Sequence, residues 1–449
     1  MVLAQFFPLF LSLGLSVAQV GAQLTSNTSC PVPVTSCPLN FNRTLDFIFR
    51  SRNRGYGGVT MSVSHIDEAG NINTIFEGAS GLRSTPINDP IRTTDTYEIA
   101  SVTKLMTAAQ LLILQERGLL SLDDKVTSIL PWLPKDLHVF NGTNYSNNIT
   151  VGQLLRHSSG LPDYFYDGPK QRRVLPTTGK EMNANDFVHW AYNYVNNSFW
   201  EENEYMDPKV IMTFVPALDT HFPPGGPRKD GNPPYHYSDS NFVLSGLIIE
   251  NVTGLSLGNA FRRDIWNPLG MNSTFMRWTE GEEWLSRPEV RLSERYTLRD
   301  PTYVDNHSIT RAKGESSDWA GGGVASTNKD LTRFMSGLVS GWLLKPESLD
   351  TMLSWRETRK NSTRLYGLGT FGWDLLYEEK KEAGLIEEGA EPVVDLLGHD
   401  GWGNAFAYFY TPLRVAFTGT LNNADSRNLF VEVIRYGVKQ LLPCACSDA

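Results

Sequence analysis

The chain has 449 residues, of which 41% are hydrophobic, and it carries a formal net charge of -9. It is long and apolar enough to bury a large core, in one large domain or two interlocked ones. The charges are dispersed and the sequence has no basic block, so nucleic acid is not an expected partner.

The first 22 residues have the pattern of a secretory signal peptide. An apolar run, Phe6 to Leu11, is followed by small residues and a cleavage site after Ala22. No Lys or Arg precedes the run, and this departure leaves an uncleaved anchor as the alternative. No later segment is apolar over enough residues to span a bilayer. We therefore expect a secreted, extracellular protein without membrane contact after signal removal.

Glycosylation sequons are dense, which is typical of a chain that passes through the secretory pathway. Three of them lie between Asn141 and Thr150, so this segment is predicted to be an exposed loop. The ten sequons are at Asn27, Asn42, Asn141, Asn144, Asn148, Asn196, Asn251, Asn272, Asn306 and Asn361.

Four cysteines stand near the two ends of the chain, at Cys30, Cys37, Cys444 and Cys446. In a secreted chain, disulfides are expected rather than metal ligands. Three pairings are possible. Because Cys444 and Cys446 are too close for a comfortable mutual bridge, cross-links between the N-terminal and C-terminal segments are favoured, with the pairing left open.

The apolar pattern predicts strands near both ends of the chain and helices between them. This pattern predicts an α+β architecture, in which both ends of the chain form one sheet and a mainly helical segment is inserted between them. The predicted helices are 45–52, 101–118, 185–196, 241–250, 258–265 and 428–441, and the predicted strands are 56–65, 72–79, 369–376, 393–397, 405–410 and 414–420.

Ser101 precedes Lys104 by three residues where an apolar helix begins, and on a helix these two side chains share a face. A serine hydroxyl is a poor nucleophile near neutral pH. A lysine that burial keeps neutral can take or relay its proton. A second S-x-x-K begins at Ser326, but there Ser326 or Thr327 is interpreted as a helix N-cap with Asp330 in the first turn.

Two further motifs follow in order: Tyr237-Ser238-Asp239 before an apolar helix, and His399-Asp400-Gly401 at the end of a strand. With Ser101-x-x-Lys104 they resemble the S-x-x-K, Y-x-N and K/H-x-G motifs of the serine β-lactamase and penicillin-binding protein superfamily. The similarity is greatest to its class C branch, which includes esterases, D-aminopeptidases and acyl-transferring enzymes. Shorter stretches support the resemblance, among them Leu154 to Pro162 and Gly321 to Thr327.

The resemblance covers about residues 54–436 and implies a β-lactamase-like fold, an antiparallel sheet flanked by helices with a mainly helical subdomain inserted. It would follow the signal peptide (1–22) and an N-terminal cysteine-containing segment and helix (23–52). The domain itself would occupy 53–449. Its sheet region is expected at about 53–100 and 320–441, and its helical region at about 101–319.

The resemblance also implies roles for individual residues. Ser101 would be the acylated nucleophile, and Lys104 its proton-sharing partner. Tyr237 would be a general base in a phenolate-like state, which requires a pKa well below its usual value of about 10, with Lys104 as the source of positive charge. His399 would hydrogen-bond near Tyr237 or the substrate. The backbone N–H groups of Ser101 and Trp402 would form an oxyanion hole.

Two residues depart from the family pattern. Asp239 stands where Asn is usual, and its charge is expected to raise the lysine pKa and oppose phenolate formation. Weaker activity, or activity shifted to higher pH, would follow. Asp400 replaces a Ser or Thr whose hydroxyl lies near the substrate carboxylate in relatives that handle β-lactams. A carboxylate would repel that group, so a neutral ester or amide, or a short peptide, is the expected substrate.

Three more residues are expected around the substrate. Gly401 lacks a side chain, which would let its strand approach the bound acyl group. Tyr164 and Trp402, with the neighbouring aromatic residues 165 and 166, would line an apolar acyl pocket. A position in the core is the alternative for these aromatic residues. His157 is expected to be structural.

Two rival functions remain open from the sequence. The segment Gly254 to Gly258 fits the G-x-S-x-G elbow of α/β-hydrolases, with Ser256 as nucleophile and Asp395 and His399 following in order. The run before it has a helical period and a sequon at Asn251, which disfavours an elbow. The other rival is a non-catalytic binding protein that keeps the scaffold. None of the eight histidines forms an H-x-H or H-x-x-x-H pair, so neither a metal nor another cofactor is expected.

Overall fold

The structure is a computed structural model, and it describes residues 32–52, 57–84, 88–167, 170, 206–288, 290–293, 313–422 and 429–445. The predicted signal peptide and the helix predicted over 185–196 lie outside these residues. So do the sequons Asn27, Asn196 and Asn306, and the cysteines Cys30 and Cys446.

The described strands are short except near the N-terminus and in the last third of the chain. They are β1 (Gly58–Ile66), β2 (Ile72–Ser84), β3 (Asp89–Pro90), β4 (Thr96–Glu98), β5 (Val139–Phe140), β6 (Thr143–Asn144), β7 (Phe275–Met276), β8 (Leu292–Ser293), β9 (Val324–Ser326), β10 (Arg356–Glu357), β11 (Arg364–Tyr366), β12 (Phe371–Trp373), β13 (Leu396–Gly401), β14 (Ala405–Tyr410) and β15 (Val415–Thr420).

The described α-helices are concentrated in the middle of the chain. They are α1 (Asn42–Phe47), α2 (Thr103–Glu116), α3 (Val126–Ile129), α4 (Val151–Leu155), α5 (Pro208–Phe214), α6 (Asp239–Thr253), α7 (Leu257–Phe261), α8 (Gly281–Leu285), α9 (Trp319–Gly322), α10 (Asn328–Val339), α11 (Pro346–Met352), α12 (Tyr377–Glu382) and α13 (Leu429–Ala445). Short π-helical segments continue α1 and α7, at Ile48–Arg52 and Arg262–Trp266. A 3₁₀ turn precedes α2, at Ala100–Val102.

The main sheet is antiparallel, with the order β10-β11-β12-β13-β14-β15-β1-β2-β3. Its centre joins the two ends of the chain, because β1 pairs with β15 from Thr60 opposite Thr420 to His65 opposite Val415. The sequence-based prediction of one sheet built from both ends is therefore confirmed. A smaller sheet has the order β7-β9-β4-β8.

The two faces of the main sheet are covered by different elements. On β14, Phe406, Tyr408 and Tyr410 belong to a hydrophobic cluster with residues of α1 and α13. The alternate residues, Ala405, Ala407 and Phe409, belong to the larger cluster that includes α2, α6 and α10. Successive strand residues point to opposite faces, so this alternation places the sheet between two helical layers.

Helix α2 is buried along most of its length, from Thr103 to Leu114. Its apolar residues occupy most of its circumference, as the sequence predicts for a core helix. It packs against α6 and α9, which places the start of α2 beside Tyr237 and Gly321.

Three predicted strands have clearly different bounds in the structure, and the one predicted over 72–79 extends to Ser84. The strand predicted over 369–376 is reduced to β12, and the strand predicted over 393–397 begins only at Leu396 and continues to Gly401. Val393 is 69% exposed, so its β-branched side chain does not mark a buried strand position. Propensity alone placed these bounds incorrectly because burial and pairing decide where a strand begins.

Seven of the sequon asparagines and two of the cysteines lie within the described residues. The described sequon asparagines are all exposed, at Asn42, Asn141, Asn144, Asn148, Asn251, Asn272 and Asn361. Cys37 and Cys444 form a disulfide that joins the N-terminal segment to α13, as favoured from the sequence. Each helix in the described part of the chain falls short of the length and hydrophobicity that a membrane span needs.

Candidate active site

Ser101 lies in the tight turn that leads into α2, and it is partly exposed to solvent. Ala100 before it has a φ of 45°, a left-handed conformation that costs a non-glycine residue roughly 1–2 kcal/mol. A Cβ atom on Gly401 would lie 2.3 Å from the carbonyl oxygen of Ile99. Gly401 is therefore required for the end of β13 to pack against the Ser101 turn, which differs from the expected approach to an acyl group. Trp402 directly follows this contact in the sequence.

Lys104 is fully buried, and three oxygen atoms surround its Nζ. Nζ donates to Ser101 Oγ at 3.0 Å and to the carbonyl oxygen of Gly321 at 2.8 Å. The third contact is an ion pair with Asp239 Oδ1 at 2.5 Å. An ammonium group has three N–H donors, so these contacts fix its position beside the serine hydroxyl.

Tyr237 reaches this cluster from the segment just before α6. Its ring centroid lies 4.9 Å from Lys104 Nζ, and its hydroxyl is close enough to Ser101 for that side chain to lower the pKa of the phenol. Burial, and then the charge of Asp239, raise the pKa of Tyr237 well above its usual value. The predicted lowering of this pKa is therefore wrong, and the resting side chain is a neutral phenol.

Asp163 is a neighbour of the cluster that the sequence reasoning missed. Its Oδ1 accepts the backbone N–H of Phe165 at 2.9 Å and that of Asp239 at 3.4 Å. Burial, followed by the nearby charge of Asp239, raises the pKa of Asp163 well above its usual value. The available signal was its position directly after the family-like stretch 154–162, but an Asp in such a loop is usually solvated.

His157 holds the segment that carries Tyr237. Its ring lies 4.3 Å from that of Tyr237, and its Nδ1 accepts from the backbone N–H of Ser238 and from Asn241 Nδ2, both at 3.1 Å. Burial lowers the pKa of His157 well below its usual value, so the ring is neutral. These contacts agree with the structural role expected from the sequence.

His399 does not hydrogen-bond to Tyr237 in the structure. Its Nδ1 bonds to the carbonyl oxygen of Asp400 at 2.6 Å, and its Nε2 lies 3.3 Å from the hydroxyl of Tyr366. Burial lowers the pKa of His399 to about 3, so it is neutral at physiological pH. Its ring lies 6.3 Å from that of Tyr237, in an aromatic cluster that also contains Phe371.

Asp400 is not an unpaired carboxylate. Its Oδ1 accepts from Arg364 and from the hydroxyl of Tyr408, both at 2.7 Å. The guanidinium of Arg364 in turn stacks on Phe371, 3.5 Å from the ring centroid. The expected repulsion of a substrate carboxylate must therefore be corrected, because Arg364 offsets much of the charge of Asp400.

The two aromatic residues predicted to line an acyl pocket have different positions. Tyr164 is fully buried, and its hydroxyl donates to the carbonyl oxygen of Ser317 at 2.5 Å, so it belongs to the core. Trp402 is 41% exposed beside Gly401, and Tyr166 is 68% exposed. Of the predicted pocket residues, Trp402 is exposed and directly follows Gly401, which packs against the Ser101 turn.

The α/β-hydrolase interpretation of Ser256 is wrong. Ser256 is the N-cap of α7 and accepts from the backbone N–H of Asn259, and the element before it is the helix α6 rather than a strand. Asp395 is engaged elsewhere, with the backbone N–H of Leu375 at 2.8 Å. At the second S-x-x-K, Thr327 caps α10 as interpreted.

A surface cavity of about 350 Å³ lies at the C-terminal end of α2, lined in part by Ile113, Glu116 and Arg117. Ser101 precedes the other end of this 14-residue helix, which is about 20 Å long at 1.5 Å per residue. The cavity is therefore not part of the Ser101 site.

One group of side chains among the described residues can hold a metal ion. Asp167, His221 and His236 place three ligand atoms within 4.8 Å of one another. No closely spaced pair of histidines in the sequence indicates this group. These ligands are 15 to 69 residues apart and meet only through the fold.

The fold and this grouping of serine, lysine and tyrosine are those of the serine β-lactamase and penicillin-binding protein superfamily. A family model described as Beta-lactamase matches residues 69–435, and the chain belongs to this family.

Curated relatives include the penicillin-binding protein 4* of Bacillus subtilis, 26% identical over 72% of this chain and 62% of that protein. The monacolin J acid methylbutanoyltransferase of Aspergillus terreus is 26% identical over 64% of each chain. This chain thus spans less than two thirds of the length of these relatives. A D-stereospecific amidohydrolase from Streptomyces has a similar fold, with a TM-score of 0.61, 23% identity and coverage of 91% of this chain and 99% of that one.

Proposed function

We propose that this chain is a serine hydrolase or acyltransferase that forms an acyl-enzyme on Ser101. The observation that carries the proposal is that Lys104 Nζ lies 3.0 Å from Ser101 Oγ and 4.9 Å from the ring centroid of Tyr237. The three side chains come from two distant parts of the chain. Packing of a hydrophobic core does not require a hydroxyl, an ammonium and a phenol to lie side by side. The relatives named as a transferase and an amidohydrolase support acyl chemistry.

The reaction begins when Ser101 Oγ attacks the carbonyl carbon of the substrate. The hydroxyl proton passes to the Tyr237 oxygen while the phenolic proton passes on to the leaving oxygen or nitrogen, so no free phenolate is needed. The C–Oγ bond forms, and the bond to the leaving alcohol or amine breaks. The Lys104 ammonium stabilises the negative charge on Oγ, and the backbone N–H groups of Ser101 and Trp402 take the oxyanion.

Water or a second alcohol or amine then attacks the acyl ester by the reverse proton path. Its proton passes to Tyr237, and Tyr237 returns a proton to Ser101 Oγ as the C–Oγ bond breaks. Water completes a hydrolysis, whereas another nucleophile completes an acyl transfer. Burial keeps His399 neutral, so it is not proposed to carry a charge in the reaction. Its role is to position the aromatic cluster behind Tyr237.

The substrate is proposed to be a neutral ester or amide, or a short peptide, rather than a β-lactam. The support is the ion pair between Arg364 and Asp400 near the end of β13. Because the Arg364 guanidinium is already paired with Asp400, it is not free to bind a substrate carboxylate. A substrate carboxylate would have to compete with Asp400 for Arg364. Trp402 offers an exposed apolar surface for the acyl group.

The protein is further proposed to be secreted and glycosylated. The N-terminal apolar run, the disulfide between Cys37 and Cys444, and the exposed sequon asparagines support this location.

The test uses the full secreted chain and a serine-directed fluorophosphonate, with intact mass as the measurement. Wild type is expected to gain one adduct, and Ser101→Ala none, with esterase activity reduced about 1,000-fold or more. The matched control, Ser256→Ala, is expected to label like wild type. Wild type that does not label would support the non-catalytic binding protein and overturn the proposal.

The same preparation tests the substrate class. Nitrophenyl esters with short acyl chains and D-amino acid amides are compared with a chromogenic cephalosporin. Faster turnover of the cephalosporin would overturn the proposed preference while leaving the acyl-enzyme intact.

A further inference from the structure

Two histidines and an aspartate meet at one point beside the Ser101 site. Asp167 Oδ2 lies 2.8 Å from Nε2 of His221 and 2.8 Å from Nε2 of His236. The two imidazole rings are stacked, with centroids 3.5 Å apart and planes at 25°. Both rings therefore present the same nitrogen to the same carboxylate oxygen.

These side chains are partly buried but accessible. The exposed fractions are 29% for His221, 21% for His236 and 19% for Asp167. An ion can reach them from solvent, and water can fill its remaining coordination positions. Two imidazole nitrogens and one carboxylate oxygen disfavour Mg²⁺ and Ca²⁺, which prefer oxygen ligands, and are a common donor set for Zn²⁺.

The backbone holds the ligands in position. His221 and His236 both donate their backbone N–H to one short segment, to the carbonyl oxygens of Gly160 and His157 at 3.0 and 2.9 Å. Asp167 Oδ2 also accepts the backbone N–H of Asp163 at 2.6 Å. All three ligands are thus anchored to residues 157–163, and this arrangement lowers the conformational entropy lost on metal binding.

The spacing is close to what zinc requires. Bonds of about 2.0–2.1 Å in a tetrahedral arrangement place neighbouring ligand atoms about 3.3 Å apart. The present separation of 2.8 Å is that of a hydrogen bond between a ring N–H and the carboxylate. Replacing the two hydrogen bonds by one ion requires each of the two Asp–His pairs to open by about half an ångström, which side-chain rotation can supply.

We propose that Asp167, His221 and His236 bind one Zn²⁺ ion with water in the remaining positions. The imidazoles bind as neutral ligands through Nε2, so each bound ring carries its single proton on Nδ1. The ion joins the loop after Pro162 to the segments carrying His221 and His236. Because His236 immediately precedes Tyr237, the site also restrains the segment that places the phenol at Ser101.

Zinc binding is measured on the full chain after treatment with EDTA and dialysis. Titration with ZnCl₂ in a calorimeter, with metal analysis of the dialysed product, is expected to give one Zn²⁺ per chain. His221→Gln and His236→Gln are each expected to weaken binding at least tenfold. Asp167→Asn keeps a hydrogen-bond acceptor but loses the charge, and is expected to weaken binding as well. His65→Gln, on β1, is the matched control and is expected to bind like wild type.

A second measurement uses the absorption spectrum of bound Co²⁺ and does not depend on catalysis. Co²⁺ is expected to produce visible absorption bands in wild type and in His65→Gln that are absent in His221→Gln. Unfolding midpoints measured without metal show whether the variants are folded. Failure of the EDTA-treated wild type to bind Zn²⁺, or equal affinity in wild type and both histidine variants, would overturn the proposal and leave a hydrogen-bonded His–Asp–His cluster. Fluorophosphonate labelling of wild type tests the acyl-enzyme proposal separately from either result.

Discussion

At the scale of single residues, Asp239 determines how much positive charge the nucleophile experiences. Its carboxylate lies 2.5 Å from Lys104 Nζ and neutralises the cation that would otherwise stabilise charge on Ser101 Oγ and Tyr237. It also contributes to the raised pKa of Tyr237. An Asn at this position would keep a hydrogen-bond acceptor for Nζ without adding a charge.

Asp239→Asn is therefore expected to raise kcat/KM for a neutral ester at neutral pH by about tenfold, which corresponds to about 1.4 kcal/mol. The sign follows from Tyr237. Removing a negative charge lowers the pKa of its phenol, which makes the phenol a better proton donor to the leaving group, and it leaves more of the Lys104 charge to stabilise Ser101 Oγ. The measurement is the pH profile of kcat/KM for both proteins, with Asp239→Ala as the control that also removes the acceptor. Loss of activity at every pH in Asp239→Asn would mean that the carboxylate itself takes part in proton transfer.

The sequence predicted some of these residues because their spacing is local. Ser101 and Lys104 are one helical turn apart, and Tyr237 and Asp239 precede an apolar helix, so each pair is visible as a motif. Arg364 and Asp163 carry no such pattern. They reach the site through antiparallel pairing and loop packing, which bring together residues far apart in sequence.

At the scale of elements, β13 links the site to the rest of the sheet. Its C-terminal end packs against the Ser101 turn, while its beginning lies beside Asp395, which is 6% exposed. The alternation of apolar residues predicted β14 to the residue and β15 to within one residue. It failed at β12 and β13, where glycines and polar residues interrupt the pattern and hydrogen bonding decides the bounds.

Asp395 is expected to give the fold a measurable pH dependence. Burial raises its pKa from 3.8 to about 6, despite Lys380 Nζ at 3.3 Å. The folded state then keeps a proton that the unfolded chain releases. The corresponding stability is fully present below pH 3.8 and is lost as the pH rises to about 6, by about 3 kcal/mol in total.

The measurement is the free energy of unfolding in urea for wild type and Asp395→Asn between pH 4 and 7. Asparagine does not titrate, so the difference between the two proteins isolates this group. Wild type is expected to lose about 2–2.5 kcal/mol relative to the variant over this range. Parallel pH dependence in the two proteins would mean that Asp395 has an ordinary pKa in the fold.

At the scale of the whole molecule, the fold closes by bringing its ends together. The strands β1 and β15 are neighbours in the main sheet, and α1 and α13 pack on the same face of it. The order of strands and helices along the sequence predicted this closure. The packing of helices α2, α6 and α10 against the sheet could not be predicted from periodicity, because it depends on which buried surfaces fit together.

The disulfide between Cys37 and Cys444 covalently links these ends across a sequence separation of 407 residues. A cross-link over so long a loop removes much conformational freedom from the unfolded chain. Changing both residues in Cys37→Ser/Cys444→Ser is expected to lower the free energy of unfolding by about 2–5 kcal/mol. Either single substitution is expected to cost about as much as both together, since the bond is lost at the first change.

Unfolding midpoints of wild type, the two single variants and the double variant test this expectation. Peptide mapping without reductant is the control, because it identifies the pair directly in wild type. The double variant leaves neither partner as a free thiol, so its midpoint is the value to compare with wild type. A double variant within about 0.5 kcal/mol of wild type would mean that packing of α13 on the sheet, rather than the cross-link, holds the two ends together.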